Sequence, residues 1–140
     1  LEYMQHFQQG DTRYWSGVIR DLQAKTQLRT AERGMNQRLL AYLSLAFYSF
    51  SNRMIGANAN NEARHFVDLY KMADPTNSEA WYFSALLDAR AGQKPAAENE
   101  LIKAVDYGFN DKTRLRQQPE FKGLNLSKVE QRMKHAYILK

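Results

Sequence analysis

Displaced by 34 residues, the stretch from Phe47 to Phe109 meets an echo of itself. Phe47 falls on Trp81, Ser51 on Ala85, Asn58 on Gly92, Asn61 on Pro95, Ala63 on Ala97 and Val67 on Leu101. An offset of that size is the mark of stacked helix pairs, in which each pair leaves an apolar face that only its neighbour can cover. The recurring types make physical sense. Phe47 and Trp81 supply bulk on the first helix of each pair. Ser51 with Ala85, and Ala63 with Ala97, supply the short side chains that let two helices approach closely. Asn58 and Gly92 are the residue types that tolerate the left-handed conformation ending a helix, and Pro95 suits the first turn of the helix that follows. Asp74-Pro75 stops the second helix of the first pair, and Thr76 with Glu79 is expected to form a capping box opening the helix that carries Trp81.

These residues resemble the tetratricopeptide repeat (TPR), whose pattern sets an aromatic, Leu-Gly and Tyr on the first helix and Ala, an aromatic and Pro on the second. In the first unit Phe47, Phe50-Ser51, Met54, Ala63, Val67 and Pro75 stand at the matching positions, and in the second Trp81, Ala85, Ala97, Leu101 and Ala104. Departures are Ser84 for the Leu, Asp88 for the Tyr and Gly108-Phe109 for the terminal Asp-Pro. The resemblance covers about half the chain. It implies an all-α fold of antiparallel helix hairpins stacked as a short right-handed superhelix. It divides one domain, 1–140, into N-terminal helices over 1–43, repeat-like units over 44–77 and 78–111, and a cap over 112–140.

Composition agrees with a helical domain. Of 140 residues 44% are hydrophobic, with 3 prolines, 7 glycines and no run of alternating Val, Ile and Thr, which argues against a sheet. Trp15, Val18, Ile19 and Leu22 recur at helical spacing after a cap at Asp11 or Thr12, and Leu1, Met4 and Phe7 share a face ahead of it. The N-terminal helices are either a degenerate repeat or a cap. From Leu39 to Phe50 almost no polar side remains, the pattern of a buried central helix with neighbours on both flanks. Gly108 to Leu124 reads as a truncated unit sealing the stack. Ser127 and Glu130 form a second expected capping box, on a closing helix with Val129, Met133, Ala136 and Tyr137 on one stripe.

Chemistry-bearing patterns are sparse. The absence of cysteine removes disulfides, zinc-thiolate sites and thiol nucleophiles. His6, His65 and His135 are far apart and outside any metal-binding spacing, so no metal and no cofactor is expected. No phosphate-cradling glycine loop or nucleophile elbow occurs, and the chain is expected not to be an enzyme. Asp88 stands where a packing aromatic belongs and is expected to be partly exposed. Asn125-Leu126-Ser127 matches a glycosylation sequon of the kind that arises by chance. No stretch has the length of apolar residues needed to span a membrane. The compartment stays open, with a soluble domain that is exported or lipid-anchored and has lost its leader among the expectations.

Net charge is +5 and the pI about 9.5, yet the basic residues are scattered, as in Arg13, Arg20, Lys25, Arg29, Arg33 and Arg38 with Asp21 and Glu32 among them. The densest group is Lys112, Arg114, Arg116 and Lys122 with Lys128, Arg132, Lys134 and Lys140. It supports an alternative reading as a basic surface for nucleic acid or an anionic membrane, ranked behind a protein partner. The tetratricopeptide resemblance implies a concave groove lined by first helices, here Tyr48, Asn52 and Ile55, then Tyr82, Leu86, Ala89 and Arg90. Tyr48, Asn52, Tyr82, Leu86 and Arg90 are therefore the expected contacts to a partner peptide or protein, with homo-oligomerisation as a further possibility. If the helices carrying Trp15 and Ile19 cover Tyr48 and Tyr82, the expected surface moves to the cap around Arg114 and Phe121.

Overall fold

In the computed structural model the described residues are 12–28 and 31–139, with side chains described to Ala136. The expectations resting on Leu1, Met4, His6, Phe7, Asp11, Tyr137 and Lys140 lie outside them. Every regular element among the described residues is helical. The chain divides into two compact units, the first ending at Pro75 and the second starting at Thr76.

In the first unit α1 (Thr12–Gln27) and α3 (Asn60–Ala73) both pack on α2 (Arg33–Gly56) and on each other. Trp15, Ile19, Leu22 and Thr26 repeat at intervals of three and four and form the buried stripe of α1. The Trp15 ring stands edge-on to Phe47, with centroids 5.8 Å apart, and Gln23 Nε2 donates to the Met72 carbonyl at 2.9 Å. Ala63 has no exposed surface, so the α2–α3 hairpin closes around a methyl group where a larger side chain would hold the helices apart. Phe50 and Phe66 stack at 5.1 Å nearby. Ser44 Oγ donates to Asp74 Oδ2 at 3.1 Å, tying α2 to the residue that ends α3.

The second unit runs α4 (Ser78–Arg90), α5 (Lys94–Asp106), the short α6 (Lys112–Gln117), a 3-10 turn (Pro119–Phe121) and α7 (Leu126–Leu139). Here α4 packs on α5 and the 3-10 turn, and α7 on α5. Ala97 is fully buried in the α4–α5 hairpin, as are Ala80, Ala85 and Ala104.

Identical hydrogen bonding closes three helices, and the ends of α2 and α4 are the two that the 34-residue offset relates. After α2 the Asn58 amide bonds to the Ile55 carbonyl and the Ala59 amide to Met54. After α4 Gly92 bonds to Ala89 and Gln93 to Asp88, and after α5 Gly108 bonds to Val105 and Phe109 to Ala104. This is the Schellman pattern, which requires a left-handed residue just past the helix. Asn58, Gly92 and Gly108 supply it, with φ of 57°, 76° and 113°. Pro95 sits in the first turn of α5 as expected.

Four local expectations need correction. The cap of α4 is Asn77, not Thr76: its extended backbone places Oδ1 3.0 Å from the Glu79 amide, while the Glu79 carboxylate is taken by Arg114. Ser127 lies inside the first turn of α7, which begins at Leu126, and Glu130 is held by Arg116 instead of closing a capping box. Trp81 is half-buried beside Tyr107 and Lys103, whereas its counterpart Phe47 is fully buried. Finally, described elements enclose α2 on one flank only. Its buried residues Ser44, Phe47, Ser51 and Ile55 share one face, because α1 and α3 provide the apolar partners for only that side. The helix buried nearly all round is α4, where every residue from Tyr82 to Leu87 is inaccessible.

Candidate interaction surface

The large apolar side chains exposed on the described surface fall mainly on one side of α2. Met35, Leu39, Tyr42 and Leu45 are exposed by 49%, 43%, 69% and 63%. Scattered exposed leucines are ordinary, but four large side chains on one helical face are not. Ala46 continues the stripe, and Asn52 lies on the same helix, exposed, two turns beyond Leu45. Tyr48 is half-buried and meets Tyr70 edge-on, centroids 6.1 Å apart. Arg33 and Arg38 are exposed on α2, and among the described residues neither is paired with a carboxylate.

Tyr82, Leu86 and Arg90, expected in an open groove, are engaged inside the second unit. Tyr82 has no exposed surface: Phe109 stacks on its ring at 5.0 Å, Phe121 stands edge-on at 5.4 Å, and the Arg114 guanidinium lies 4.0 Å from the ring centre. Its hydroxyl donates to Gln118 Oε1 at 3.0 Å. Gln118 Nε2 donates to Glu120 Oε1 at 2.7 Å, and Arg90 Nε donates to Glu120 Oε2 at 2.9 Å. Arg114 makes a two-pronged pair with Glu79. Leu86 is 4% exposed. Within the second unit, Phe109 and the α6 and 3-10 segments thus cover the face of α4 that Tyr82 presents.

This enclosure has electrostatic consequences. Burial pushes the Tyr82 phenol up to about 12, against the opposing charge of Arg114. Burial acts to raise Glu120 as well, but hydrogen bonds from Gln118, the backbone and Arg90 together leave its carboxyl below the ordinary range. The hydrogen bond from Arg116 holds Glu130 low and raises Arg116 in turn.

Among the described residues, the three arginines of the C-terminal basic cluster are each paired with an acid. Arg114 pairs with Glu79, Arg116 with Glu130 at 2.6 Å and Arg132 with Asp106 at 2.9 Å. Asp88 is half-buried. His65 Nδ1 lies 3.1 Å from Thr12 Oγ1, and no group of three or more potential metal ligands occurs among the described residues. A depression of about 470 Å³ in the second unit is lined by Thr76, Val105, Asp106, Phe109 and Met133 among others. Its single carboxylate, Asp106, is bonded to Arg132, and no nucleophile and base converge there. No described helix is long and apolar enough to cross a membrane.

Comparison with known proteins gives no matching family model, no matching curated protein and no matching solved structure.

Sequence reading missed the α2 surface although its signal was present. The spacing of Met35, Leu39, Tyr42 and Ala46 is four, three, four, a helix–helix seam separate from the seam through Phe47, Ser51 and Ile55.

Proposed function

We propose that the chain is a non-catalytic interaction module of TPR-like helical repeats, its hairpins α2–α3 and α4–α5 forming successive units of a short right-handed superhelix. The observation that carries the reading is the exposed face of α2, with Met35, Leu39, Tyr42 and Leu45 and, further along the helix, Asn52. A solvent-facing apolar stripe of this size costs solubility and is characteristic of surfaces that meet another protein. The recurrence of the same helix-ending hydrogen bonds after α2 and α4, 34 residues apart, supports the repeat architecture. In this reading Asn52, exposed on α2, and the uncovered part of Tyr48 remain the candidate contacts from the first hairpin. Tyr82, Leu86 and Arg90 contribute only by shaping α4 beneath the cap, unless that cap is displaced.

Selection of a random peptide library on the immobilised full chain tests the module. Enriched peptides should bind the wild type and lose at least tenfold in affinity to the Asn52→Arg or Leu45→Glu variant with unchanged thermal melting, as expected for losing an anchor. Enrichment of no peptide, or of peptides indifferent to every α2 surface variant, refutes the reading.

A further inference from the structure

We infer that the 35–46 face of α2 receives one amphipathic helix of a partner protein, apolar along its own seam and acidic along its flank. This rests on the reading of the chain as an interaction module and adds the chemistry of its partner. Three observations decide the occupant. The first is spacing. Met35, Leu39, Tyr42 and Ala46 follow the alternation of four and three that keeps a narrow seam facing another helix, so the natural counterpart is a helix.

The second observation is charge. Between Arg29 and Arg53 the basic residues are Arg29, Arg33, Arg38 and Arg53, against the single carboxylate of Glu32. Arg38 is exposed beside Leu39 and Tyr42, in the flanking position from which long side chains choose their partner by charge. A helix with Glu or Asp along its flank satisfies it. The third observation is area. The exposed parts of Met35, Leu39, Tyr42 and Leu45 come to about 500 Å², well below the ~800 Å² that each partner of a stable complex commonly buries. The complex is therefore a weak one whichever chain occupies the face, and a second copy of this chain would add the repulsion of Arg33 and Arg38 brought toward their own equivalents. A reversible, salt-weakened complex with an acidic helix is what the face can sustain.

The test uses the full chain and two fluorescein-labelled three-heptad peptides, both with Leu along the seam, one with Glu and the other with Lys at the flanking positions. Fluorescence anisotropy should give at least tenfold tighter binding for the Glu peptide, weakening as salt rises. Tyr42→Glu and Leu45→Glu should each reduce its affinity at least tenfold with unchanged melting curves, since both side chains are exposed. Arg38→Glu should shift preference toward the Lys peptide. Equal binding of the two peptides, or no effect of Tyr42→Glu, overturns the inference. So do wild-type sedimentation with phosphatidylserine vesicles or a dimer in sedimentation velocity, either abolished by Leu45→Glu, in a protein that ignores both peptides. If the library yields peptides that depend on α2 but carry no acidic residues, the module reading stands and the inference about its partner falls.

Discussion

Replacing Tyr82 by Phe separates the polar and apolar roles of the most enclosed side chain in the second unit. At neutral pH the change deletes the hydroxyl that donates to Gln118 at 3.0 Å and keeps the ring contacts to Phe109 and Phe121. One hydrogen bond of this kind contributes about 1 kcal/mol, so Tyr82→Phe should be less stable by about that amount at pH 7. Alkali inverts the order. The phenol is raised from 10.0 to about 12 in the folded chain. A raised pKa means that the stabilisation is complete below the unfolded value and is lost as pH climbs toward the folded one. Two units at 1.36 kcal/mol each set an upper figure of about 2.7 kcal/mol, and roughly half of that is gone one unit above the unfolded value. The wild type should therefore fall toward the variant above pH 10, and the stability curves should cross at about pH 10.5 to 11. Urea denaturation followed by far-ultraviolet circular dichroism at a series of pH values measures both proteins. The other tyrosines titrate in both and cancel in the difference. Curves that stay parallel through this range would refute the enclosure of Tyr82.

Ala63→Phe and Ala97→Phe should each cost about 1 to 3 kcal/mol by overpacking a hairpin, and unchanged thermal midpoints for both would remove the repeat assignment. Gly92→Ala should destabilise by about 1 to 2 kcal/mol in urea titration through backbone strain alone, because a Cβ there meets no neighbour while φ is 76°.

What the sequence determined by itself was local. Asn58 and Gly92 marked helix ends because few residue types accept positive φ, and that constraint acts within one turn of chain. Pro95 and Asp74-Pro75 acted in the same way. The helical class followed from apolar spacing in α1 and α3, and the smallness of Ala63 and Ala97 marked where helices approach. Capping was less legible at 76–79, where Thr76 and Asn77 both had suitable side chains and a single extended backbone conformation chose Asn77.

Only the tertiary structure decided which apolar faces are covered. The segment from Leu39 to Phe50 has almost no polar side, and its two seams do not say which of them a neighbour will cover. With α1 and α3 on the Phe47 side, Leu39, Tyr42 and Leu45 were left to solvent. The reverse happened at α4. Tyr82 and Leu86 carried the same groove-facing expectation as Tyr48 and Asn52, yet Phe109, Phe121 and Arg114 enclose Tyr82, through contacts spanning nearly forty residues of sequence in the case of Phe121. Burial depends on what the rest of the chain brings to a face, and amino-acid type fixes only what a face will tolerate.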